Sequence, residues 1–307
     1  MNSPAAPAAV HPRWLPYVVL GIAVVIVSSS AILIRVAQGE GANSITIAAW
    51  RLTIAALLLS PLAWVKASGE IASFCRRDWL LGAASGIFLA LHFASWISSL
   101  AYTSIASSVA LVSINPLWIA VGSWLLFRER LGAWRMLGIA IAILGSGVIF
   151  VSDARLVAGA GGSNPILGNI LALIGSFTVC GYLLIGRRMR AGMSLLPYIW
   201  LVYSSAAVAL MAWVIAAGLP LWGFSTTVWA CLIGLAAGPQ LLGHSAFNWA
   251  LKHVSATLIA IVILGEPIGS ALLAWLIFGE QFAPLQLAGF AMLLCGIYFA
   301  SRGEASG

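Results

Sequence analysis

The chain has 307 residues, of which 62% are hydrophobic and 7% charged, and fifteen Lys and Arg against eight Asp and Glu give a formal net charge of +7. That is more apolar surface than a soluble domain of this length buries, so the composition excludes a soluble globular protein and points to a multi-pass membrane protein. The basic residues stand singly or in twos and threes between apolar runs rather than as one stripe, which reads as a membrane-topology signal and not as a nucleic-acid-binding face.

Residues 1–14 open on MNSPAAPAAVHP, small and proline-rich, and are expected to form a short disordered cytoplasmic tail. The apolar run that follows, from Leu15, lacks a small-residue cleavage site and reads as a span rather than a signal peptide. A hydrocarbon core of about 30 Å needs roughly 20 helical residues. Charged, Gly and Pro punctuation then predicts ten spans, over 15–36, 45–66, 79–101, 104–127, 132–151, 166–187, 195–217, 226–250, 255–278 and 283–302.

Ser28, Ser29 and Ser30 in the first span are suited to hydrogen bonds across helices or to a cavity wall. Arg51 lies just inside the second. The third carries Gly82 and Gly86, a GxxxG pair, followed by a loose polar face of Ser85, His92, Ser95, Trp96 and Ser99. The fourth carries Asn115–Pro116 and Trp118, and the sixth carries Tyr182. Between the fifth and sixth lies the longest loop, SDARLVAGAGGSNP, whose glycines do not match GxGxxG and read as linker. In the eighth span Gln240, His244 and Asn248 fall at i, i+4 and i+8, one polar stripe on an α-helix. In the ninth, Glu266 precedes Pro267 and is the one acidic residue placed mid-span.

An ionisable group at that depth costs several kcal/mol unless it is neutral, paired or facing a wet cavity. Glu266 is therefore a candidate to bind a substrate ammonium or to exchange a proton, the competing reading being a protonated structural Glu. Pro116 and Pro267 free carbonyls one turn back, at Val112 and Ile263, that either point into a cavity or merely kink the helix. Tyr102, Trp118, Tyr182 and Trp249 are available as aromatic walls. No second His or carboxylate stands at ligand spacing from His92 or His244, the four cysteines are scattered without CxxC spacing, and no Ser–His–Asp order or nucleotide loop occurs. The sequence thus makes no case for a metal, a cofactor or catalysis, and nothing in it sets an oligomeric state.

The halves are copies. Residues 116–138, PLWIAVGSWLLFRERLGAWRMLG, match 267–289, PIGSALLAWLIFGEQFAPLQLAG, at a constant offset of 151 that pairs Trp124 with Trp275, Glu129 with Glu280 and Gly138 with Gly289. Gly82, Gly86 and His92 match Gly234, Gly238 and His244 at 152, so a one-residue insertion or deletion is expected in the turn between these helix pairs. Twelve of the fifteen Lys and Arg fall on one face, only Arg35 and Arg155 on the other, which places both termini in the cytoplasm. Five spans per copy put corresponding loops on opposite faces, so residues 15–151 and 166–302 are expected to be inverted repeats.

LAYTS at Leu100–Ser104 and LKHVS at Leu251–Ser255, each followed by a mid-helix Pro, a WLxFxE run, LG and a small-residue helix, resemble the EamA-type repeat of the drug/metabolite transporter superfamily. Both copies are present, and the chain looks most similar to YddG-type exporters of aromatic and other neutral amino acids. The resemblance implies an all-α membrane protein of ten helices around a central cavity lined by helices 1, 3, 4, 6, 8 and 9. It also implies export of an amino acid across the bacterial inner membrane. By position the lining would include His92, Trp96, Asn115, Trp118, Tyr182, Gln240, His244 and Glu266, and the polar faces add Ser99 and Asn248. Cationic drugs or another small metabolite are the alternative cargo. The second copy departs from the pattern at GEQF, where the first has RERL, and at His253, where the first has Tyr102.

Overall fold

The computed structural model describes residues 14–127, 132–157, 164–250, 252–254, 259, 262–263 and 265–305, and every regular element among them is helical. Helix α1 (Leu15–Ser28) stops where the Ser28 and Ser29 hydroxyls fold back onto the carbonyls of Val24 and Ile26, at 2.8 and 2.7 Å, and compete with the helical ladder. Helix α2 (Ser30–Gly39) resumes at once, so the first span is one bent rod three residues longer than expected. Asn43 caps α3 (Ser44–Ala72) by accepting from the Ile45 amide at 2.9 Å, and α4 (Arg76–Ser99) begins on a capping box in which Asp78 accepts from the Cys75 amide at 3.0 Å.

The expected fourth span is two helices, α5 (Ile105–Val112) and α6 (Asn115–Phe127). Pro116 has no N–H to return to Val112, and the Ser113 hydroxyl takes the Val109 carbonyl at 2.8 Å, so the ladder breaks between them. There follow α7 (Ala133–Val157), α8 (Pro165–Arg190) and α9 (Leu195–Ala216), α7 absorbing the first residues of the expected linker. The eighth span is α10 (Thr226–Leu235), a π-helical segment Ala236–His244 around Pro239, and α11 (Ser245–Ala250). Helices α12 (Gly265–Phe278) and α13 (Pro284–Ala305) complete the chain. Most of the first third of the ninth span, the RERL loop and the middle of the linker lie outside the described residues. Among the described residues six rods are long and apolar enough to cross a bilayer, and four shorter apolar helices fall within the other expected spans.

The α1–α2 rod packs on the α10–π–α11 rod and α12, and α8 packs on α4 and the α5–α6 pair. Helix α3 meets α9, α5 meets α12, and α7 meets α13; exchanging each rod for the one five places along leaves this pattern unchanged. The exchange extends to single residues. A Cβ on Gly145 would stand 2.9 Å from the Gly289 carbonyl, and one on Gly296 would stand 2.7 Å from the Gly138 carbonyl, the same contact made twice at an offset of 151. Gly86 likewise sits against α9, where a Cβ would come within 2.8 Å of the Val202 carbonyl. The matching pair behaves differently: Gly234 and Gly238 meet nothing closer than 3.5 and 3.7 Å, because the π segment begins between them and shifts the face they present.

At the end of the bundle where α2 stops and α8 starts, Arg35 donates to the Thr103 carbonyl at 2.7 Å and stands 3.9 Å from Glu280, which accepts from the Ile105 amide at 3.2 Å. Glu280 thus caps α5 from the opposite half of the chain. Glu280→Ala is expected to cost about 1–2 kcal/mol, the loss of a helix cap plus a weak ion pair. Glu280→Gln, which keeps the acceptor, should cost less; denaturant unfolding of the two variants in detergent checks the order.

Candidate functional site

The break between α5 and α6 turns Val112, Ser113 and Asn115 toward α4, α8 and the π segment, and Ile263 with Glu266 of α12 closes the ring. The result is a cavity of about 50 Å³ bounded by His92, Trp96, Val112, Ser113, Asn115, Val179, Tyr182, Leu183, His244, Phe247, Ile263 and Glu266. Both residues whose carbonyls proline was expected to free, Val112 and Ile263, are in that wall. Asn115 turns its own Nδ2 to the Val112 carbonyl, at a long 3.5 Å, and its Oδ1 is left buried without a partner.

His92 Nδ1 lies 2.9 Å from the Gly175 carbonyl, which can only accept, so Nδ1 carries the proton. Its ring is nearly parallel to Trp96, with centroids 6.0 Å apart at 12°, and the Trp96 Nε1–H is buried without an acceptor. Tyr182 accepts at its hydroxyl from Asn248 Nδ2 at 2.6 Å, and the same amide reaches the His244 carbonyl at 2.9 Å. Glu266 is half-buried, is the one acidic side chain among the described lining residues, and makes no ion pair within 4 Å to a described residue.

Of the ten candidate residues, His92, Trp96, Asn115, Tyr182, His244 and Glu266 share this cavity. Asn248 is one hydrogen bond behind it, through Tyr182. Ser99 is spent on packing, 2.6 Å from both the Ser108 hydroxyl and the Trp96 carbonyl. Trp118 is half-buried with its ring edge-on to Phe177, centroids 5.6 Å apart, and is not brought to the cavity. Gln240 faces away from it, toward α3. The stripe expected from α-helical spacing is split because the helix is π-wound from Ala236 to His244, so a four-residue step no longer returns to one face. Tyr102 is exposed, and Trp249 packs on His253 at 4.3 Å.

In the sequence Arg51 is one basic residue among fifteen, yet it is the largest fully buried side chain among the described residues. Its Nε donates to Gln240 Oε1 at 2.9 Å and its Nη1 to Ser30 Oγ at 3.0 Å, and the guanidinium carbon lies 4.1 Å from the centre of the Phe93 ring. The signal available in the sequence was its place two turns into α3. A second, larger crevice of about 210 Å³ runs between α5, α12 and α13. It is apolar except for Ser113, whose hydroxyl is already given to Val109, and so offers nothing to orient a polar ligand.

The sequence profile of the EamA-like transporter family matches the chain twice, over residues 14–151 and 166–302. An uncharacterized transporter of Archaeoglobus fulgidus is 24% identical over 75% of this chain and 80% of its own length. Another, of Haemophilus influenzae, is 23% identical over 85% and 87% respectively. A WAT1-related protein of Arabidopsis thaliana is 28% identical over 47% of this chain and 43% of its own. A solved crystal structure superposes with a TM-score of 0.67 at 17% identity, covering 94% of this chain and 98% of that one, which shows a shared fold.

Proposed function

Since the chain belongs to the EamA-like transporter family, we propose that it is an alternating-access exporter of amino acids, chiefly aromatic and large neutral ones, of the YddG type. In this reading residues 15–151 and 166–302 are inverted repeats in a bacterial inner membrane, both termini are cytoplasmic, and the cavity lies between the repeats near the bilayer midplane. The packing pattern that survives exchange of the two halves, down to the paired Gly145–Gly289 and Gly296–Gly138 contacts, supports the repeat symmetry.

The observation that carries the substrate reading is the polar inventory of the cavity. Glu266 and the unpartnered Asn115 Oδ1 are acceptors for an ammonium, the unpartnered Trp96 Nε1–H is a donor for a carboxylate, and His92, Trp96, Tyr182 and Phe247 supply ring faces and edges. A volume of about 50 Å³ holds a water or two, whereas ligand pockets run to roughly 300 Å³ and more, so this conformation is constricted and must widen to load. Purified protein in liposomes loaded with labelled phenylalanine, then with a panel of other amino acids, tests the reading with and without a pH gradient. Saturable efflux is expected for aromatic and large neutral amino acids, and no movement of any of them would overturn it.

Efflux of cationic drugs is the second reading, favoured by the fact that the described lining holds an acidic side chain, Glu266, and no Lys or Arg. Competition between a cationic dye and labelled phenylalanine separates the two: a dye that is itself transported and displaces phenylalanine moves the assignment to amines.

A further inference from the structure

Arg51 is fully buried and has no carboxylate within 4 Å among the described residues. A buried guanidinium without a counter-ion is costly, and retention of one calls for a group that meets it at some stage of the protein's work. Its fork is only partly used. Nε and Nη1 are held by Gln240 and Ser30, whereas Nη2 has no partner among the described residues. The neighbouring amide is in the same condition. Gln240 must turn its oxygen to Arg51, since Nε–H can only donate, and this fixes Nε2 as the other end, which is buried, makes no close hydrogen bond to a described residue and has the Tyr203 hydroxyl as a polar neighbour. Two unsatisfied donors, one of them charged, thus lie side by side on α3 and the π segment.

Their relation to the cavity is set by Phe93. One side of its ring covers the Arg51 guanidinium at 4.1 Å; the rings of the two cavity histidines lie 4.8 Å (His92) and 5.4 Å (His244) from it. The donor pair is therefore one aromatic ring behind the wall of the cavity that Glu266 lines, and the two charged residues are not within ion-pair distance of each other. Because the cavity must widen to load, a substrate that displaces Phe93 meets these donors next. A planar guanidinium edge with a parallel amide N–H is complementary to a carboxylate.

We infer that Arg51 and Gln240 form a carboxylate-recognition subsite behind Phe93, opposed to Glu266, so that the loaded site is filled by a molecule carrying both charges. For the identity of that molecule the inference rests on the amino-acid reading above; for its carboxylate it does not. The opposed charges also select: a zwitterion satisfies both ends, whereas an amine leaves Arg51 uncompensated.

The test measures binding to the full chain in detergent with three probes that share a phenyl ring: phenylalanine, phenethylamine, which lacks the carboxylate, and 3-phenylpropionate, which lacks the amine. In Arg51→Gln, phenylalanine and phenylpropionate are expected to bind at least about tenfold more weakly, as befits loss of a charge-assisted hydrogen bond, with phenethylamine unchanged or tighter. Gln240→Leu should show the same selectivity at a smaller factor, and it decides the matter if Arg51→Gln fails to fold. Equal loss for all three probes, or unchanged affinity for the two carboxylates, overturns the subsite. Wild-type protein that binds phenylpropionate in an Arg51-dependent way but not phenylalanine would leave the subsite standing and remove the amino-acid reading. Wild-type protein that binds none of the three removes both.

Discussion

Glu266→Gln is expected to lower phenylalanine efflux from proteoliposomes by about 10–100-fold with little change in melting temperature. Glutamine keeps the shape and an acceptor oxygen but not the charge, and a hydrogen bond to a charged group contributes about 1.5–3 kcal/mol, where 1.4 kcal/mol is a factor of ten. The stability should hold because Glu266 makes no ion pair with a described residue whose loss would orphan a partner and is half-buried against the cavity rather than enclosed in the core. The pH profile separates binding from architecture. If the carboxylate holds the ammonium, wild-type efflux falls on acidification as Glu266 takes up a proton, and the glutamine variant, already neutral there, loses that dependence. A variant that transports as fast as the wild type at every pH would reduce Glu266 to a structural residue. A loss confined to KM would mean that the charge holds substrate equally in all states, and a loss in kcat that it acts in the conformational step.

The membrane class and the long apolar spans were legible in the sequence because hydropathy is a property of composition summed over a helix, insensitive to packing. The duplication was legible because the glycines and tryptophans that carry it are rare enough to align. Glu266 could be singled out because an acid in an apolar run has few innocuous explanations. For Arg51 the sequence offers only its depth of two turns into α3, a weak signal because a long basic side chain near the start of a span ordinarily reaches back to the interface, and the packed structure shows it turned inward onto Gln240 and Phe93. The polar stripe of the eighth span failed for a related reason: spacing gives a face only if the winding is known, and the one local hint of π-winding was Pro239. Ser99 and Trp118 show the same limit, since periodicity places a residue on a face without saying whether that face meets a cavity or another helix.

Gly145→Leu and Gly296→Leu are each expected to destabilise the fold by about 1–3 kcal/mol, the usual cost of overpacking, and to do so through one interface. At each site the added Cβ would strike backbone: for Gly145 the Gly289 carbonyl and the Leu293 amide, both 2.9 Å away, and for Gly296 the Ala142 amide at 2.6 Å and the Gly138 carbonyl at 2.7 Å. Backbone in a helix has no rotamer to change, so the strain is relieved only by moving α7 away from α13. Once one leucine has forced that separation the second should cost less, and the double variant is expected to lose less than the sum of the singles. Gly147, on the same helix with nothing within 4 Å of its absent Cβ, is the control, and Gly147→Leu should unfold at wild-type denaturant concentration. Neither α7 nor α13 supplies a residue to the cavity, so the protein that remains folded should bind its substrate with unchanged KM. A KM that rose with these substitutions would instead show that the α7–α13 contact is part of the transport motion, with the two halves pivoting on the glycine seam that the sequence repeat carries twice.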